Sequence, residues 1–168
     1  MTDETGLLDI LTRILDGIAW TCMVIAGVLM VVLIAIFGWL VWGRYVMNDT
    51  PTWVEQAALV MVVWITFLGA AVGVRRRTHL SIDFVREAMP KHVRVTLTFA
   101  ANLMMVGFGI IMAWQGWNLT ASTMARIVPM LGISEGWRAI PIAICGVLMT
   151  IYSLEHLVAL IRGTESGA

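Results

Sequence analysis

The sequence predicts an all-α integral membrane protein with four transmembrane helices and both termini on the cytoplasmic side. Three observations lead there. Of the 168 residues, 60% are hydrophobic and only 13% charged, with a mean hydropathy of +0.87. A soluble domain carries roughly 25% charged residues, so this chain needs lipid as part of its solvent. The charges are also clustered, leaving uncharged windows at Gly17–Gly43, Gln56–Val74, Val95–Ala125 and Ala139–Leu154. Finally, the basic residues favour one side of the resulting topology.

Taken in order, the chain opens with an amphipathic segment over 5–16. Leu7, Leu8, Leu11, Ile14, Leu15 and Ile18 recur at three- and four-residue spacing, with Asp9, Arg13 and Asp16 opposite. Such a helix either lies at the membrane surface or extends the first span. A cleavable signal is not expected, because acids stand where a basic n-region belongs. The first span covers 17–43 and the second 56–74, since about 20 apolar residues at 1.5 Å each cross the hydrocarbon core. The third covers 95–117. The fourth, 138–161, reaches spanning length only by continuing through Glu155 and His156. Between the second and third spans, residues 78–90 mix Leu80, Ile82, Phe84, Val85, Ala88 and Met89 with charges and end at Pro90. This pattern predicts a short helix in the headgroup plane. Cys22 and Cys145 both fall inside spans and are expected to be free thiols.

Arg75, Arg76, Arg77, Arg86, Lys91 and Arg94 share the connection between spans two and three. With Arg13 and Arg162 they put eight basic residues on one side, against Arg44, Arg126 and Arg138 on the other. That side is the cytoplasmic one by the positive-inside bias, and the six residues of the connection are assigned to topology and lipid contact, at about 1 kcal/mol per basic side chain on anionic lipid. Tryptophan agrees: Trp39, Trp42, Trp53, Trp114, Trp117 and Trp137 gather at the opposite face, where the ring is buried and the N–H stays wet. Net charge is zero, and the arginine run is an orientation marker, so nucleic acid is not an expected partner.

The chemistry-bearing residues are few. His79 and Asp83 stand one helical turn apart, but no other His, Cys or carboxylate is spaced to complete a metal or catalytic site. They are assigned to fixing the loop by a local hydrogen bond, with no cofactor. A haem-bearing respiratory anchor is one alternative; His79, His92 and His156 all lie at the inner ends of helices, where they do not face one another at mid-depth. A small homodimeric exporter is another. Against it, no Asp, Glu, Lys, Arg or His lies near the centre of any span, whereas ion-coupled pumps retain such residues for their work. Neither are there paired broken helices to offer dipole ends to an ion. The chain is thus expected to be a non-enzymatic partner of something else. Its candidate partner surface is the second helix: Gly69, Ala70 and Gly73 form a small-residue patch, Trp64 is positioned to pack on a neighbouring helix, and Trp53 and Glu55 open the helix. Ser134 is expected to cap the fourth helix.

In combination, Trp53-Val54-Glu55, the run Trp64 to Ala71, Arg75, the run His79 to Asp83, and Pro90 resemble the small membrane subunit (DctQ-type) of tripartite ATP-independent periplasmic (TRAP) transporters. Arg44-Tyr45-Val46, the run Leu131 to Trp137, and Ile140-Pro141 extend the similarity over most of the chain. One departure is Gln56, where the family commonly has a second acid. The resemblance implies a scaffold in the bacterial inner membrane. Its partners would be a large sodium-coupled membrane subunit, a periplasmic solute-binding protein that delivers an organic acid, and membrane lipids.

Overall fold

The computed structural model describes residues 3–48, 51–76, 91–128 and 131–161. Four long helices account for nearly all of them: α1 (Asp3–Trp42), α2 (Trp53–Arg75), α3 (Lys91–Thr123) and α4 (Gly136–Ile161). All four are long and apolar enough to cross a membrane. The helices are longer than the uncharged windows that lie in them, because backbone hydrogen bonding continues past the point where side chains turn polar.

The amphipathic segment 5–16 is continuous with the first span inside α1, so it takes the form of an extension of that helix. At its far end α1 widens into a π-helical turn, Gly43–Met47. Asn48 closes that turn in the left-handed region (φ 55°), its N–H reaching Gly43 O. Asn tolerates this conformation because its short polar side chain can hydrogen-bond locally. The predicted surface helix 78–90 lies outside the described residues.

Packing joins α1 to α2, α2 to α4 and α4 to α3, leaving α1 and α3 as flanks. On α1 the inward residues are Thr12, Leu15, Ala19, Cys22, Ala26, Leu29, Leu33, Ile36 and Leu40, alternating by three and four, and Gly43 of the π-helical turn continues the stripe. That strict heptad stripe is narrow, as in a coiled-coil seam. The remaining faces, including Trp20, Val31 and Ile34, stay exposed, as expected of a helix whose surroundings are lipid. The core joins Leu15, Ala19 and Cys22 of α1 to Leu68, Ala71 and Val72 of α2 and to Cys145, Met149 and Tyr152 of α4.

The α3–α4 seam is built differently. A Cβ placed on Gly146 would stand 2.3 Å from Ala113 N, and one on Gly116 would stand 2.6 Å from Ala143 N. The two backbones therefore nearly touch, and only glycine fits at these points. In a bilayer, where lipid tails are as apolar as leucine, such close backbone approach is a main source of helix association.

Between α3 and α4, the described residues on either side of 129–130 pair with each other. Val128 N–H donates to Ile133 O at 2.8 Å and Glu135 N–H to Arg126 O at 2.8 Å, with Gly132 supplying the positive φ of 65°. Ser134 fulfils its expected capping role: its Oγ accepts from Gly136 N–H (3.2 Å) and donates to Met124 O (2.7 Å).

Candidate functional site

Helices α2 and α4 run parallel, since their starts meet each other and so do their ends. This creates two polar clusters, one at each end of the layer.

At the arginine end, the side chain of Arg75 is 8% exposed. Its Nε donates to Asp16 Oδ1 of α1 at 2.8 Å, its Nη1 to Glu155 Oε2 of α4, and its Nη2 to Thr12 O at 3.3 Å. Thr12 Oγ1 donates to the other oxygen of Glu155 at 3.0 Å. The guanidinium also lies over the ring of Tyr152, 5.6 Å from its centroid, a cation–π distance. One side chain thus ties three helices together. Arg75 fits this role because its planar fork presents several donors at fixed angles.

This corrects the assignment of Arg75 to lipid contact: it is buried against carboxylates. Its neighbour Arg76 is exposed. Arg77, His79, Asp83 and Arg86 lie outside the described residues, as do the side chains of Lys91 and Arg94, which begin α3. Glu155 and Asp16 were not singled out from the sequence. The available signal was Glu155 itself, a carboxylate inside a span, which demands a partner.

At the tryptophan end, Pro141 lies inside α4. Proline has no N–H, so the carbonyl four residues earlier loses its helical donor. That carbonyl belongs to Trp137, and the indole Nε1–H of Trp64 donates to it at 3.0 Å. The two indole rings lie 6.5 Å apart at 35°. Trp64 therefore packs on α4 of its own chain and satisfies a polar atom that proline left open. Close by, Arg138 Nη2 donates to Gln56 Oε1 at 2.5 Å.

The remaining candidates of α2 divide. Ala70 packs against the core, while Gly69 is exposed with nothing within 4 Å of a built Cβ. Gly73 is half-buried, and Trp53 and Glu55 are exposed. Trp53 lines an open apolar groove with Val32, Ala35, Ile36 and Trp39 of α1. Among the described residues, no three His, Cys, Asp or Glu side chains are grouped so as to hold a metal ion.

Residues 33–163 match the family described as tripartite ATP-independent periplasmic transporters, DctQ component. The chain belongs to the DctQ family. Among the curated relatives of this DctQ-family chain is the sialic acid TRAP transporter small permease protein SiaQ of Vibrio cholerae, 27% identical over 96% of this chain and 93% of its own length. The C4-dicarboxylate TRAP transporter small permease protein DctQ of the same organism is 28% identical over 45% of the chain and 32% of its own length. The sialic acid TRAP transporter permease protein SiaT of Haemophilus influenzae is 32% identical over 69% of the chain, yet the match covers only 19% of that longer protein. These relatives are transporter subunits rather than enzymes. Family and helices together make the chain a multi-pass protein of the bacterial cytoplasmic membrane.

Proposed function

We propose that this small permease subunit of a TRAP transporter braces a large membrane subunit, which itself carries the substrate. The observation behind this reading is the match to SiaT, whose small-subunit-like part is continuous with a much longer polypeptide. The absence of Asp, Glu, Lys, Arg and His near the centre of the spans supports it, because it leaves sodium and substrate to the larger subunit. The uptake is sodium-coupled and the cargo an organic acid, the class to which the substrates named for the sialic acid and C4-dicarboxylate relatives belong. A periplasmic binding protein delivers that cargo at the tryptophan end, and the arginine end faces the cytoplasm with both termini.

Gly69 on the open face of α2 belongs to the joint with the large subunit, along with Trp53 and Glu55 at the start of the helix. A tagged copy extracted in mild detergent will bring down a large polytopic protein. Gly69→Leu will reduce that recovery several-fold without lowering the unfolding midpoint of the isolated chain, since a Cβ at that position meets nothing within 4 Å. Transport by this chain alone in liposomes would refute the bracing role.

A further inference from the structure

We propose that Arg138 and Gln56 form a binding site for the phosphate of an anionic phospholipid in the leaflet at the tryptophan end. Arginine stays protonated in proteins, so a guanidinium withdrawn from water needs a counter-charge. Arg138 is half-buried, its Nε is buried without a hydrogen-bond partner, and its acceptor within the chain is the neutral amide of Gln56. Among the described residues no carboxylate reaches it; both ion pairs belong to Arg75. The local field adds to the imbalance. Arg138 sits in the first turn of α4, where the positive end of the helix dipole disfavours a cation; Glu135, just before that turn, forms no ion pair with it. The missing negative charge is therefore supplied from outside the chain.

The surroundings select a lipid as its source. Trp137, adjacent in sequence and 49% exposed, leans on Trp64, and tryptophans of this kind lie at headgroup depth with the ring toward the acyl chains. A guanidinium at the same depth meets phosphate oxygens, which its fork binds through paired hydrogen bonds. Gln56 serves as a neutral brace: it holds one side of the guanidinium without neutralising it, leaving the charge for the ligand. The inference does not depend on the transport role.

The test uses the full chain purified in detergent micelles doped with phosphatidylglycerol or with phosphatidylcholine. Phosphatidylglycerol is expected to raise the unfolding midpoint of the wild type by about 3 °C or more over phosphatidylcholine. Arg138→Gln will lose at least half of that difference, whatever its own midpoint. Gln56→Glu supplies an internal counter-charge; it will raise the midpoint in phosphatidylcholine and shrink the response to phosphatidylglycerol. Basic residues at the other end contribute equally in all three proteins, so the comparison between variants isolates this site. An equal response to phosphatidylglycerol in the wild type and Arg138→Gln would overturn the proposal, as would a full response in Gln56→Glu. Loss of the large subunit from Arg138→Gln with no lipid effect would also overturn it, pointing instead to a partner's carboxylate.

Discussion

Two arginines join α2 to α4, one at each end, and their environments differ in kind. Arg75 has carboxylates on both sides from its own chain, Asp16 and Glu155. Arg138 has a neutral amide, Gln56. The first arrangement is closed: charge, donors and acceptors are satisfied by three helices, and the cluster fixes how those helices sit. The second is open, holding a cation in place while leaving its charge to something else. The contrast shows that a basic residue near a membrane boundary has no single role. Whether it anchors to lipid or locks the protein depends on which acidic side chains the neighbouring helices bring within reach.

The contrast is most directly broken at Glu155. Glu155→Gln leaves Arg75 with Asp16, whose side chain is 62% exposed, and removes the charge from the better-buried partner. Breaking a buried pair costs roughly 3–5 kcal/mol, and the surviving pair keeps the expected loss near the lower end, about 3 kcal/mol. Denaturant titration in mixed micelles measures it; a loss below about 1 kcal/mol would mean that the cluster does not lock the helices.

A smaller effect is expected at the tryptophan end. Trp64→Phe removes the donor that serves Trp137 O, and hydrogen bonds between membrane helices average about 0.6 kcal/mol with a maximum near 1.7. Pro141→Ala restores the missing helical N–H, so in that background Trp64→Phe should cost measurably less. A double-mutant cycle reports the difference directly. Additive costs would show that the indole contributes only by packing.

The smallest effect is expected at Arg76, the exposed neighbour of Arg75. Arg76→Gln should change stability by no more than about 0.5 kcal/mol, against the large effect of disturbing Arg75 one residue earlier. Similar costs at the two positions would erase the distinction between a locking arginine and a surface one.

How legible this was in the sequence varies by level. The spans were legible because the membrane acts on each helix separately: an uncharged window of sufficient length marks it, as Gln56–Val74 did within α2. Ser134 was legible because a cap is a local device. Trp64 was expected against a neighbouring helix, yet its polar role needed Pro141, distant in sequence and brought near only by the parallel packing of α2 and α4. The small-residue patch around Gly69 drew attention by its spacing. Among the described residues, the glycines at which two helix backbones approach within the chain are instead Gly109, Gly116 and Gly146. Their signal was comparable, with Gly109-x3-Ala113 and Ala143-x2-Gly146 at helical spacing. Spacing alone does not say whether a small-residue face meets its own chain or another.

By itself, the sequence determined that the chain lives in a bilayer, that it has four helices long and apolar enough to cross it, and which family it resembles. Those properties follow from hydrophobicity and short motifs, which act residue by residue along one helix. Only the tertiary structure decided that Arg75 is buried, that Arg138 has no carboxylate partner among the described residues, and that α3 and α4 meet backbone to backbone. These depend on which helices become neighbours and in which direction they run. In lipid that choice rests on close packing and on pairing polar groups across helices, both of which join residues far apart in the chain.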